Sequence, residues 1–529
     1  MRAAEQLFLW AEHNLSQADG SYFNDIDSDW KGTTVFNTIQ LADCLLFHGG
    51  ILSGEVRQLW KNRLELAAEF LCDFDELKKN NINYPISNAL ALYECGMIWN
   101  SGRYFKKAKE LADLAREVIT EDGLLAGEGI PHLKKSPRGC YPIDIGYNVE
   151  ETLPSLALYA SLSKDVYLLD LAEKGLRRHL DYMLQDGGWD NSFGTRNYKW
   201  TYWGSRTSDG CALGYLLLAG KNPEFGLAAE RNLQLLRQCT VNGLLMGGPH
   251  YQSAGQGTCV HHTFTHAKVL AGILERHLCV EQKGETTLPR QRVGERYDKE
   301  TGSWIVNWPS MTATITSYDW EYLPGGHAGG GTLSLLYHSQ AGMLLCSGVC
   351  QYMLKEPNNM QVPRHVRHEC LALRIEKRGE DGLLYSSLYE DCAQITREGN
   401  RFIVNGGLKD IHHRYAPGKH LQYRFCYQLE EHRLTVQAEF SEGCLICPVV
   451  SRKEEPVLFD DQENFVRIQK DHAVVTVRAN GVLSLPYGTE RIFNLIPGFQ
   501  ALRMEVLPTG PSVEGCVEVQ LELGVECGS

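Results

Sequence analysis

The chain has 529 residues, 43% of them hydrophobic and 22% charged, with a formal net charge of −13 at pH 7. That length exceeds a single hydrophobic core and calls for two or three domains, while the composition excludes long disorder. An acidic balance with no Lys/Arg-rich run excludes nucleic-acid binding through overall charge, and no apolar run nears the ~18 residues of a membrane-spanning helix.

The opening stretch, "MRAAEQLFLWAEHNLSQADG", has its apolar run broken by charges and lacks a small-residue cleavage site. It reads as an amphipathic helix rather than a signal peptide, so a cytoplasmic protein is expected. From there to residue 285 two kinds of helix alternate. One kind carries charge along one face, as in "YFKKAKELADLAREVI" and "YLLDLAEKGLRRHLDYML"; the other is apolar nearly all round, as in "ISNALALYECGMI", "YNVEETLPSLALYA" and "HHTFTHAKVLAGIL". Charged-faced helices belong outside and all-apolar ones inside. Asp-Gly or Asn-Gly recurs at Asp19, Asp122, Asp186 and Asn242, where the chain turns after each outer helix.

Five such outer-inner pairs predict an incomplete (α/α) toroid over residues 1–285. The inner-helix starts then share one face, bringing Asn37, Asn88, Asn148, Ser208, His261 and His262 toward a common cleft. Helix capping is the expected role of Asn37, Asn88 and Ser208. After residue 285 the pattern changes to period-two runs such as "GTLSLLYH" and "RLTVQAEF", which predict an antiparallel β-sandwich domain over 286–529 and leave open a subdivision near 390–440. The fold class is thus multidomain α + β. The 17 cysteines are scattered and are expected as reduced buried thiols; "CLIC", at Cys444 and Cys447, has no second pair to make a zinc site.

One segment stands out. Between Asp186 and Gly210, "DGGWDNSFGTRNYKWTYWGSRTSDG" holds three Trp, two Tyr, two Arg and a Lys on a predicted cleft rim. Trp189, Trp200 and Trp203 either form a platform for sugar rings or seal the toroid against the β half. Arg196, Lys199 and Arg206, with Lys134, Lys135 and Arg138 nearby, make the rim locally cationic in an acidic protein. An acidic oligosaccharide or polysaccharide is the expected partner, with Tyr198 and His262 among its contacts. Such a substrate has a chemical route that requires no cofactor. Neutralising a uronate carboxylate makes the C5 proton removable, a His or Tyr takes it, and a Tyr protonates the departing glycosidic oxygen. Asn148, Tyr202, Arg206 and His261 are the candidates for that β-elimination.

On these features the chain resembles the heparinase II/III-like polysaccharide lyases, which pair an α/α toroid with β domains. The resemblance implies that Asn148, in "YNVEETLPSLALYA", neutralises the carboxylate and that Tyr202 is the catalytic tyrosine. "GGHAGGGTLSLLY" is similar to the family's H-x-H-x-D-x-G-x-F motif, with His327 on the second His and Gly325 and Gly329 at the first His and the Asp. His327 leads as base, ahead of His261 and of Tyr202 itself. The incomplete motif leaves metal content unknown and does not support a structural zinc or calcium in the β domain. A further polar stretch, with Asn358, Asn359, Arg364, His365 and His368, is either a cleft-lining loop or a turn. Two rival functions remain. One is a glycoside hydrolase using carboxylates among Glu150, Glu151, Asp190 and Asp209; the other is a non-catalytic carbohydrate-binding protein.

Overall fold

The computed structural model describes residues 2–26, 28–280, 286–351, 368–418, 420–510 and 515–528. Asn358, Asn359, Arg364 and His365 lie outside the described residues.

The first half is an incomplete toroid of five helical pairs. Its inner helices are Thr34–His48, Asn83–Trp99, a broken helix over 145–163, Ala212–Leu217 and Val260–Glu275, each packed on the next in chain order. Around them lie Arg2–Asn14, Gly54–Asp73, Gly102–Ala112, Val166–His179 and Pro223–Gln238. The outer helices form as their sequences dictate. Ser101 accepts a hydrogen bond from the Tyr104 amide to start Gly102–Ala112, which then buries Tyr104, Ala108, Leu111 and Ala112 on one stripe. The Asp-Gly and Asn-Gly turns place Gly20, Gly123, Gly187 and Gly243 at positive φ. A Cβ on Gly187 would also lie 2.4 Å from the Arg231 carbonyl carbon, so the turn packs directly on the next outer helix.

The inner ring is drawn together by charge where packing stops. Arg276 Nη2 lies 2.9 Å from Asp43 Oδ1, and His48 Nε2 lies 2.6 Å from Glu275 Oε1, joining the last inner helix to the first. The last helix was expected to be buried all round. Instead Val260, Phe264, Leu270 and Leu274 are exposed, because no sixth pair among the described residues covers it.

Among the described residues every sheet of the second half is antiparallel. Gly294–Asp298, Ser303–Asn307, Met311–Thr316, Thr332–His338 and Gly342–Cys346 form a five-stranded meander, followed by an eight-stranded and a six-stranded sheet. Arg433–Phe440 buries every second residue, as its period-two pattern predicts. Thr332–His338 does not alternate: all seven residues are buried. Leu333 and Leu336 enter the sandwich core, while Leu335 and Tyr337 join a cluster shared with the toroid loop, so both faces of this strand are covered.

Three capping expectations are corrected. Asn83, not Asn88, opens the second inner helix, and the Asn88 amide donates instead to the Leu71 carbonyl. Ser208 lies before the Ala212–Leu217 helix and its hydroxyl binds Glu150. Asn37 is exposed in the first turn of a helix whose cap position is Thr33.

Candidate active site

Asp144 organises the cleft. It is the N-cap of the broken inner helix: one carboxylate oxygen accepts the Tyr147 amide at 3.1 Å, and the other accepts the Arg196 amide at 2.9 Å and the Asn191 side chain at 3.0 Å. One buried carboxylate thereby fixes both a tyrosine and an arginine from a different loop. Gly194 makes this possible, since a Cβ there would lie 2.1 Å from Asn191 Oδ1. The Arg196 guanidinium stacks 3.7 Å above the Tyr147 ring and pairs with Glu128 at 3.1 Å. Burial pushes the Glu128 carboxyl up to about 7, although Arg196 opposes the rise. Lys199 Nζ lies between two rings, 5.8 Å from that of Tyr147 and 5.9 Å from that of Tyr198.

Two further contacts bring this group to the last inner helix. The Tyr147 hydroxyl hydrogen-bonds the Thr207 hydroxyl. His261, exposed in the first turn of Val260–Glu275, lies close enough to the Arg206 backbone for that group to favour its protonated form. Phenol and imidazole thus approach adjacent residues, 206 and 207, from two inner helices. Solvent reaches the His261 ring, yet the cleft walls crowd it: desolvation first, then the Lys199 charge, hold its pKa below the ordinary imidazole value. A neutral imidazole can accept a proton.

The β domain completes the rim. Tyr322, 38% exposed, stacks on Tyr198 at 6.1 Å, and Arg206 Nη2 donates to the Leu495 carbonyl at 2.6 Å and meets the Tyr251 hydroxyl at 2.5 Å.

Several expected site residues stand elsewhere. Tyr202 is buried, its hydroxyl 2.9 and 3.0 Å from the two Asp186 oxygens and its ring edge-on to Phe499. Burial and the Asp186 charge push its pKa far up, the opposite of what a catalytic base needs. Asn148 faces the outer helices, donating to the Leu125 carbonyl at 2.8 Å and to His179 Nε2 at 3.0 Å. His327 places both ring nitrogens on carbonyls, Trp320 at 3.0 Å and Ala328 at 3.2 Å. Trp189, Trp200 and Trp203 have no exposed surface, which rules out a sugar platform: Trp200 and Trp203 join the cluster shared with the β domain, while Trp189 stacks on Tyr215 in the toroid core. His262 is buried edge-on to Trp203. Of the expected groups, His261, Arg196, Lys199, Tyr198 and Arg206 do gather here.

The carboxylates of the hydrolase alternative are committed to the fold. Asp190 accepts from Thr314 and Ser192, Glu150 from the Ser205 amide, Glu151 from Asn83, and Asp209 pairs with Lys268.

Tyr147, Glu128 and Thr207 were missed from sequence. Tyr147 immediately precedes Asn148, but a π turn over Asn148–Thr152 changes which residue faces the cleft. Pro154, which has no N–H to return to the turn above, was the available signal.

Among the described residues two groups have metal-ligand composition. Lys409 already bridges Glu390 and Asp391. In the other group, with His432 and Cys527, His338 Nδ1 accepts the Gln340 and Ala341 amides at 3.2 and 3.3 Å, which places the ring proton on Nε2, where a metal would bind.

Comparison with known proteins supplies the context. A family model described as the ulvan lyase N-terminal domain matches residues 1–291, and one described as the ulvan lyase C-terminal domain matches 296–522. A broad-specificity ulvan lyase from Formosa agariphila is 38% identical over 524 residues, 96% of this chain and 82% of that protein. Solved structures similar to the chain include a mutant heparan sulfate lyase from Pedobacter heparinus, at 10% identity and TM-score 0.47, covering 99% of this chain and 72% of that one. The chondroitin AC lyase of Streptomyces coelicolor A3 in complex with chondroitin sulphate, also 10% identical, has TM-score 0.48 with coverages of 99% and 79%. No helix among the described residues is long and apolar enough to cross a membrane.

Proposed function

We propose, from the premise that the chain belongs to the ulvan lyase family and is a polysaccharide lyase cleaving uronate-containing glycans by β-elimination, that it acts on an ulvan-type acidic glycan whose reacting uronate lies against Tyr147, Lys199 and His261. The convergence of Tyr147 and His261 on residues 206 and 207 carries this reading.

In the reaction, the Lys199 ammonium, helped by Arg196, offsets the uronate carboxylate and the charge that develops as C5 loses its proton. The neutral His261 imidazole takes that proton. The electron pair forms the C4–C5 double bond as the C4–O bond breaks, and the Tyr147 hydroxyl protonates the departing oxygen. Thr207, hydrogen-bonded to that phenol, is placed to return a proton to it. No metal enters these steps. The Tyr198–Tyr322 stack offers an apolar ring face at the rim, the role first sought in the tryptophans.

The test is purified protein against heparan, chondroitin, hyaluronan, alginate and rhamnose-glucuronate oligosaccharides, read by the ultraviolet absorbance of the unsaturated uronate. Rhamnose-glucuronate chains are expected to give the fastest rise, and His261→Ala and Tyr147→Phe to abolish it. Wild-type rates in both variants would remove the residue assignment, and a faster rise with another glycan would remove the substrate assignment.

A further inference from the structure

We infer that His413 is a positioning residue of the cleft, whose ring, donating from both nitrogens, braces the 320–326 turn and so sets the Tyr322 face against which the glycan lies. The inference rests on the reading that the Tyr198–Tyr322 stack meets substrate. Tyr322 comes from the β half, and the turn that carries it decides whether its ring lies over Tyr198. Glu321 closes that turn. One carboxylate oxygen accepts the Gly325 amide at 2.8 Å, and the Gly326 amide donates to the Leu323 carbonyl at 2.9 Å, a bend tight enough to put Gly325 at φ +67°. The Gly325 carbonyl accepts the Cys350 and Gln351 amides at 3.0 and 3.1 Å. The second Glu321 oxygen leaves the turn and meets His413 Nε2 at 3.0 Å.

Both ring nitrogens of His413 face acceptors. Nδ1 lies 2.8 Å from the Tyr389 carbonyl, which can only accept, and Nε2 faces a carboxylate. A neutral imidazole has one N–H and satisfies one of the two, whereas the imidazolium satisfies both. The Glu321 bond, working against partial burial, raises the His413 pKa to about 9; Asp391, itself paired with Lys409, adds a smaller pull. The backbone is strained to reach this placement. His413 has φ +60°, the left-handed region that a residue with a Cβ rarely adopts. Asp410 holds it there, its carboxylate accepting the His412 and Arg414 amides, both at 2.9 Å, and the Arg414 guanidinium.

The brace is at full strength below about pH 6.5, the ordinary imidazole value, and is lost as pH rises through 9. Once a proton leaves the ring, the 320–326 turn is no longer tied to the 410–414 loop. The Tyr322 ring then lies over Tyr198 for a smaller fraction of the time, and apparent affinity falls by that fraction. Tyr147, Lys199 and His261 are untouched, so the effect falls on KM rather than on kcat.

The experiment measures kcat, KM and Tm across the neutral and alkaline range for the whole enzyme, His413→Gln, Glu321→Gln and Tyr322→Ala, on whichever glycan of the panel above reacts fastest. At neutral pH, KM is expected to rise about 10-fold in His413→Gln and Glu321→Gln while kcat stays within about two-fold of wild type. Wild-type KM should climb toward the His413→Gln value as pH passes 9, and that climb should be missing from the variant. If His413→Gln loses its Tm, Glu321→Gln, which keeps the histidine, decides on the same readouts. Raised KM in Tyr322→Ala with wild-type KM in the other two variants overturns the brace and leaves the stack as a substrate contact. Unchanged KM in Tyr322→Ala removes the stack from the substrate site, and this inference with it. An alkaline climb in KM that persists in His413→Gln also overturns the proposal.

Discussion

His261 and Tyr202 were both candidates for proton transfer, and their surroundings separate them. Crowding and the nearby Lys199 hold the His261 pKa below the usual ~6.5, so the base is neutral near pH 7 and becomes protonated only in acid. kcat/KM is therefore expected to fall as pH drops through that lowered value, and His261→Ala to lose about 10²- to 10⁴-fold in turnover with KM little changed. Initial rates across the acid range measure both. Tyr202→Phe should do the reverse. Removing its hydroxyl leaves the buried Asp186 carboxylate without that donor, a stability cost of about 1–3 kcal/mol, while turnover stays within a few-fold of wild type. A lowered Tm with retained activity is the expected outcome; lost activity at unchanged Tm would return Tyr202 to the catalytic set. The aromatic excess of the 186–210 loop was legible as an anomaly. Which of its rings the β domain covers was not, because contacts such as that of Tyr202 with Phe499 join residues 297 positions apart in the chain.

Helix periodicity made the five hairpins readable, since it needs only local sequence, and the Asp-Gly turns marked where outer helices end. It failed at the broken inner helix. A π turn inserts a residue into the repeat, so the side chain expected to face the cleft, Asn148, faces His179, and Tyr147 takes the inward place. The device that holds Tyr147 there is the Asp144 cap. Asp144→Ala removes the acceptor of two backbone amides and one side-chain amide, so a stability loss of about 2 kcal/mol or more is expected with a fall in kcat, since Tyr147 and Arg196 lose their common anchor. Denaturant melts and rates on the same preparation test the coupling. The neighbouring loop supplies a pH signature. The Glu128 carboxyl has a folded pKa of about 7, above its ordinary 4.5, so the folded state binds the extra proton. Its stabilising contribution is complete below about pH 4.5 and is lost as pH rises through 7. Glu128→Gln should flatten that part of the Tm-against-pH curve, and an unchanged slope would show that Glu128 does not titrate there.

At the scale of the whole molecule, toroid and sandwich are joined by buried polar bonds as well as by apolar packing. Ser192 binds Ser334 and receives the Ser347 hydroxyl on its carbonyl, Thr314 binds Asp190, and Arg290 Nη1 lies 3.5 Å from Asp190 Oδ2. Arg178 and Tyr182, at the end of an outer helix, both bond Asp298 on the first strand of the β half. Despite its burial, those partners and Arg296 hold the Asp298 carboxyl below its usual value, so its contribution to stability is present at neutral pH and is lost in acid. A seam of this kind makes each half a condition for the other: exposing it would uncover Trp200, Trp203, Leu335 and Phe499 together with bonded polar groups. The two halves are therefore expected to unfold in one cooperative step, and Asp298→Ala, which takes from Arg178 and Tyr182 the acceptor they share and leaves Arg178 only Asp181, to move that single transition by about 1–3 kcal/mol. Scanning calorimetry decides the matter. Two resolved transitions, only one of them shifted by the substitution, would mean that the halves melt independently and that the seam serves to position Arg206 and Tyr198 rather than to hold the molecule together.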